Sequence, residues 1–220
     1  MASRQSVRER IARRAAREIE DGMIVNLGIG IPTLVANYIP SHLHVTFHAE
    51  NGILGTGPSP AEGEEDPHLC NAGGEPITVV EGASYFDSAT AFGMIRRGYI
   101  DITIIGALQV SEKGDLANWI VPGKRVPGMG GAMELAQKAK KVIVLMNHTN
   151  KDGQPKIVRT CTLPLTAPEC VDMIITEMAV MEVEDGILVL REVMAPYTVH
   201  DVIDRTEASL EIPDHLLNMS

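Results

Sequence analysis

The chain has 220 residues, 45% hydrophobic and 22% charged, a composition suited to one soluble globular domain and unsuited to a disordered chain. With 29 Asp plus Glu against 19 Lys plus Arg, the formal charge of -10 argues against non-specific nucleic-acid binding, which needs basic groups on phosphates. The three cysteines, Cys70, Cys161 and Cys170, form no even set and no CxxC pair, so neither a disulfide framework nor a zinc site is expected, and a reducing cytoplasm is the expected setting.

The N-terminal stretch to Arg17 is basic but lacks the apolar core of a secretory signal. Its acidic residues Glu9 and Glu18, with Val7, Ile11 and Ala15 at helical spacing, favour a structural helix over a transit peptide. No apolar run is long enough to cross a membrane.

That first helix is expected at about 6–21, ending at Asp21-Gly22. Met23 to Leu27 reads as a strand, and Pro32 sits where a first helical turn accepts it. A second strand at about 44–48 leads to Glu50. Pro58 to Pro67, acidic and without apolar periodicity, reads as an exposed loop. A strand at about 77–80, a helix at about 86–97 and the strand Ile102 to Ile105 follow. Asn118 to Gly131, rich in Gly and Pro, is expected to be a long ordered loop, a kind that is often functional. A helix at about 132–140 and the strand 142–146 come next. Met178 to Val183 and Gly186 to Leu190 form an antiparallel pair turning at Glu184-Asp185-Gly186. A short helix at Val199 to Arg205 closes the chain. Strands separated by helices predict an α/β fold: one three-layer domain over residues 1–220, its largely parallel sheet covered by helices on both faces.

The most telling segment is His48-Ala49-Glu50-Asn51-Gly52-Ile53-Leu54-Gly55-Thr56-Gly57. A carboxylate carried off a strand end into a glycine-rich turn serves stability poorly, because buried Glu needs a partner and glycine costs chain entropy. It suits a site where carboxylate and backbone both approach a ligand. Local sequence alone leaves open, and favours, a glutamate that merely caps its turn. Asn26, at the end of its strand before Gly28-Ile29-Gly30, is open between turn residue and site residue. That G-x-G is no dinucleotide fingerprint, since Thr33 takes the place of the third glycine. Trp119 is expected to anchor packing, and Lys124 and Arg125 to be solvated or to meet an anion. His42, His44 and His48 alternate along the expected strand, but no partner ligand lies at metal-binding spacing. They are read as solvated or hydrogen-bonded, with no metal site.

Six segments, taken together, go further. Asn26 to Thr33, His48 to Gly57, Gly82 to Ala89, Leu116 to Lys124, Gly128 to Met133 and Cys161 to Thr166 occur in that order between about Arg8 and Thr206. They resemble the β subunit of the family I coenzyme A transferases, the group of succinyl-CoA:3-oxoacid and acetate/acetoacetate enzymes. The resemblance implies the CoA-transferase fold, related to that of sugar-phosphate isomerases. It implies that Glu50 is a nucleophile that carries CoA as a glutamyl thioester in a ping-pong reaction. It also implies substrate or CoA contacts from Asn26, Gly28, Gly52, Asn118, Gly130 and Gly131. Coenzyme A is then a substrate, and no cofactor is expected. A separate α subunit, in an α2β2 heterotetramer, is the implied partner. Two departures bear on acyl specificity: relatives often carry Ser where this chain has Ala49, and some carry Lys where it has Gly74. The rival readings are an acyl-CoA hydrolase using the same glutamate and a non-catalytic metabolite-binding module; a sugar-phosphate isomerase has no evident use for the Glu50 turn.

Overall fold

The protein is described here by a computed structural model covering residues 4–123, 128–214 and 216–219. Helix α1 (Arg4–Ala15) runs into a 3-10 turn at Ala16–Glu18 and buries Ile11, Ala12, Ala15, Ala16 and Ile19, whose spacing puts them on one face. Strand β1 (Ile24–Leu27) leads to a 3-10 segment, Pro32–Tyr38, opened by Pro32 as expected. Strands β2 (Thr46–Ala49), β3 (Ile53–Thr56) and β4 (Val79–Tyr85) precede helix α2 (Ser88–Arg96), whose Asp87 cap accepts the Thr90 N–H at 2.7 Å. Then come β5 (Ile102–Gly106), β6 (Gln109–Ser111), β7 (Leu116–Ala117) and helix α3 (Ala132–Lys138). Strands β8 (Lys141–Leu145), β9 (Ile157–Val158), β10 (Met173–Ile175), β11 (Ala179–Glu184) and β12 (Ile187–Met194) follow. Helix α4 (Val199–Asp204), fixed by a capping box between Thr198 and Asp201, and β13 (Leu217–Met219) end the chain.

Among the described residues, ten strands form one sheet in the order β13-β12-β11-β10-β8-β5-β1-β2-β3-β4, and β7-β6-β9 form a second. The centre from β10 to β2 is parallel. Antiparallel pairs extend it on both sides, β2-β3-β4 and β10-β11-β12. The β11–β12 hairpin turns where expected, with Asp185 (φ 50°) and Gly186 (φ 77°) in the left-handed conformation such turns require. One face packs on α1 and the Pro32–Tyr38 segment through Val25, Ile102, Ile104, Ile143 and Leu145. The other is covered by α2 and α3 around Ile95, Ile100 and Leu135. Beside them, the small sheet and α4 pack over Ile105, Val144 and Ile174. The small sheet is an addition to the expected helical layer.

Other expectations shift. Strand β3 lies inside the glycine-rich segment, where Gly55 breaks the short apolar run of Ile53 and Leu54 and hides the strand. Strand β4 runs on to Tyr85 as an exposed antiparallel strand. His42 and His44 precede β2 rather than lying along it, so they do not share a face with His48. His42 is exposed, and exposed His44 meets Asp21 at 3.2 Å. Lys124 and Arg125 fall outside the described residues.

Two buried polar groups tie the elements together. Arg14 of α1 donates to both Glu192 oxygens, at 2.8 and 2.6 Å, and to Glu18 at 2.7 Å. His148, fully buried after β8, sits 3.0 Å from the hydroxyls of both Thr176 and Thr206. Burial holds its pKa down at about 4, with Arg205 and Lys156 adding repulsion. Between pH 6.5 and 4 the unfolded chain therefore binds a proton here that the folded chain refuses. This contribution is full above pH 6.5 and is lost as pH falls towards 4, amounting to up to about 3 kcal/mol. Chemical denaturation across that window checks it. A His148→Gln variant is expected to lose this part of the pH dependence.

Candidate active site

Strands β2 and β3 pair at Ala49 and Ile53, leaving Glu50-Asn51-Gly52 as the loop between them. The turn closes through Gly52, whose N–H donates to the Ala49 carbonyl at 3.0 Å and whose carbonyl accepts from Phe86 N–H at 3.0 Å. At φ 117° no L side chain is comfortable, and a Cβ would collide with the Phe86 carbonyl oxygen. Gly52 therefore serves the turn that carries Glu50, and its N–H is already used.

Glu50 is half-buried at the C-terminal end of the parallel strands. In the strand order β5-β1-β2, chain progression reverses at β1, and crevices at such points are where open α/β sheets hold ligands. Asn26 and His48 are direct neighbours across β1 and β2. Asn26, 1% exposed, donates through Nδ2 to Glu50 Oε2 and to the His48 carbonyl, each at 3.1 Å. His48 Nδ1 lies 3.3 Å from the same nitrogen. On the other side, Thr103 Oγ1 makes a long 3.5 Å contact to Asn26 Oδ1. With three acceptors on one side and a hydroxyl on the other, the amide has one sensible orientation, its NH2 towards Glu50.

The His48 ring stacks on Phe86 with centroids 6.5 Å apart. Burial lowers its pKa, against an opposing pull from the Glu50 charge. A neutral ring that accepts at Nδ1 carries its proton on Nε2, which makes no hydrogen bond of ordinary geometry; the Ala91 backbone acts on the ring only weakly. Ala49, buried beside Ile53 and Ile77, has no polar group to satisfy.

Gly131 comes from across the site, at the start of α3. A Cβ there would lie 3.3 Å from Glu50 Cγ and Phe92 Cζ and 3.4 Å from Glu50 Oε1. Only a bare backbone lets the loop come this close. Its φ of -81° tolerates alanine, so Gly131→Ala tests space rather than strain. That variant is expected to fold with a melting temperature within about 3 °C of the parent. It should turn over about 10- to 100-fold more slowly, because the carboxylate is displaced.

The structure thus brings Asn26, Glu50, Gly52 and Gly131 together. Gly130 is next to Gly131, left-handed at φ 57° with open space around it. Gly28 is placed otherwise: its N–H donates to the Ile104 carbonyl at 2.8 Å, and a Cβ would lie 3.3 Å from that oxygen, so it locks β1 against β5. Asn118 is satisfied within the chain, donating to the Gly106 carbonyl at 3.2 Å and accepting from Thr166 Oγ1 at 2.6 Å. Lys156 Nζ donates to the neighbouring Ala107 carbonyl at 2.8 Å, and burial lowers its pKa to about 8. Sequence reasoning missed Phe92, which stands beside Gly131, and Thr103, which meets Asn26, and did not join His48 to Asn26. Only strand order reveals these neighbours.

A cavity of about 430 Å³ also opens beside Glu50, with mixed walls: apolar Leu27, Leu34, Phe47 and Ile77 alternate with polar Thr33, Asn37 and Asn71 and with exposed Glu65 and Glu75. The thiols of Cys161 and Cys170 are pushed up by burial to about 11 and about 12, so neither is a nucleophile at neutral pH. Among the described residues, no group of three His, Cys, Asp or Glu is placed to hold a metal, and no helix is long and apolar enough to cross a membrane.

Residues 8–205 match the family model for coenzyme A transferase. The chain is 63% identical over 205 residues to the "Probable coenzyme A transferase subunit beta" of Bacillus subtilis, covering 93% of this chain and 94% of that protein. It is 52% identical to the acetate CoA-transferase subunit beta of Escherichia coli, with the same coverage. Its fold superposes with a TM-score of 0.77 on the acyl-CoA transferase YdiF of Escherichia coli O157:H7, at 22% identity, covering 97% of this chain and 43% of that longer one. By the extent of these matches, the chain belongs to the coenzyme A transferase family.

Proposed function

We propose that the chain is the β subunit of a CoA-transferase that exchanges coenzyme A between short-chain acyl or 3-oxoacyl thioesters and free carboxylic acids, with Glu50 as the covalent carrier. The observation that supports this most is the setting of Glu50, whose Oε2 takes the Asn26 N–H while Gly131 stands against Oε1. One oxygen is held by a buried donor, and the other lies beside the bare backbone of Gly131.

In the first half-reaction, a Glu50 oxygen attacks the donor's thioester carbonyl. The C–S bond breaks, CoA leaves as thiolate, and a mixed anhydride remains. The thiolate then attacks the Glu50 carbonyl, the donor acid departs as carboxylate, and Glu50 holds CoA as a thioester. The acceptor carboxylate runs the same steps backwards and restores free Glu50. Splitting the transfer in two is nucleophilic catalysis, and it gives ping-pong kinetics. Each tetrahedral intermediate needs donors for its oxyanion, and the backbone at Gly130 and Gly131 is the candidate on this chain.

The relatives are named as β subunits, and a separately encoded α subunit is the partner, in an α2β2 assembly. Initial rates of the co-purified complex, with thioester and acid both varied, test the reading. Parallel double-reciprocal lines are expected. Intersecting lines contradict a free glutamyl-CoA intermediate, and turnover without any acceptor acid identifies a hydrolase instead.

A further inference from the structure

Behind Glu50 lies a row of buried polar side chains on neighbouring strands. Register places Thr103 of β5, Asn26 of β1 and His48 of β2 side by side across the sheet. They are 0%, 1% and 3% exposed. Polar groups taken out of water cost stability unless fully paired, so such a row is a poor choice for stability alone. His48 shows the cost, since its buried Nε2 makes no hydrogen bond. Asn26 is the link to Glu50. Its Nδ2 donates to Glu50 Oε2 and to the His48 carbonyl at 3.1 Å, and His48 Nδ1 lies 3.3 Å away as a third acceptor. This arrangement suits the amide only while Nδ1 carries no proton.

We propose that His48 is a positioning residue for Glu50: by accepting at Nδ1 it keeps the Asn26 NH2 turned to the nucleophile. This role rests on the reading of Glu50 given above. A proton on Nδ1 would point at the amide's own hydrogens. Turning the amide over would relieve that contact but set Oδ1 against the Glu50 carboxylate. Either way the carboxylate loses its aim, and a misplacement of about 1 Å costs on the order of 100-fold in rate. The surroundings keep the ring neutral. Phe86 stacks on it, Leu54 of β3 is its cross-strand partner, and α2 brings the Ala91 backbone. Among the described residues, Glu50 is the charge that acts on the ring, and burial outweighs its pull. Protonation of His48 therefore sets in below pH 6.5.

The test uses the assembled enzyme with its α subunit as parent, His48→Leu and His48→Gln. Leucine removes the acceptor, whereas glutamine offers an amide oxygen in its place. His48→Leu is expected to lower kcat about 30- to 100-fold, while affinity for free CoA, read by calorimetry, changes less than about threefold. His48→Gln should recover at least about fivefold of that loss. On the acid side the parent loses activity to protonation of both His48 and Glu50. His48→Gln loses it with the carboxylate, so its kcat/KM limb for the thioester moves to lower pH. A His48→Leu enzyme with the parent's kcat overturns the proposal. So does a His48→Gln enzyme as slow as His48→Leu, since an acceptor at that place then does not matter. An acid limb that His48→Gln leaves where the parent has it also overturns it, and this readout decides alone if His48→Leu does not assemble. Transfer that persists in Glu50→Ala is a separate result: it refutes the Glu50 reading, and the role of His48 falls with it.

Discussion

Glu50→Ala and Glu50→Gln are expected to lower CoA transfer by the assembled enzyme at least about 10⁴-fold while leaving the fold intact. The size follows from the role. If the carboxylate forms the covalent intermediate, no remaining oxygen on this chain takes its place: Asn26 offers a donor, His48 is buried, and Cys161 and Cys170 stay protonated. The small effect on folding follows from the surroundings. Glu50 is half-buried and gives up one hydrogen bond, from an Asn26 amide that still donates to the His48 carbonyl. A loss of about 1 kcal/mol is therefore expected, or about 2–4 °C in melting temperature. Steady-state assays with thermal unfolding on the same preparations check both halves. A variant that keeps one-tenth of the activity contradicts the covalent role.

Gly52→Ala is expected to do the reverse and act through the fold. At φ 117° an L residue is strained, and its Cβ also meets the Phe86 carbonyl oxygen, which is backbone and has no rotamer to give way. Strain and overlap together are expected to cost about 3 kcal/mol or more, lowering the melting temperature by roughly 6–12 °C. Activity should fall with it, because the same turn sets Glu50. Gly74→Ala is the matched control. It shares a positive φ of 79° but has open space around it, so about 1–2 kcal/mol is expected. Equal melting temperatures for the two variants would remove the collision from the account.

The central elements were legible because each carries its own signal. Strand β5 is an apolar run, α1 spaces its buried residues helically, and Asp185-Gly186 marks a hairpin. Glu50 was legible as a residue out of place, a carboxylate among glycines at a strand end. The neighbours of Glu50 were not. Asn26 and His48 are 22 residues apart and meet only because β1 and β2 pair in parallel at that register. Gly131 reaches Glu50 from the start of α3, and nothing local to Gly128-Met129-Gly130-Gly131 states that. Gly28 and Gly52 illustrate the opposite case. Their sequence looks like a ligand cradle, yet the backbone donors are taken by Ile104 and Ala49. The small sheet was hidden because β7 and β9 are two residues each, too short to show alternation.

The account stands on Glu50 as the covalent carrier, and peptide mass spectrometry of the co-expressed complex tests that most directly. The enzyme is incubated with acetyl-CoA or acetoacetyl-CoA and no acceptor acid, then digested with or without borohydride reduction. The predicted result is a CoA adduct or a reduction mark confined to the peptide carrying Glu50, absent in Glu50→Ala and discharged by adding an acceptor acid. An unmarked Glu50 across several acyl-CoAs, with CoA demonstrably bound, contradicts it.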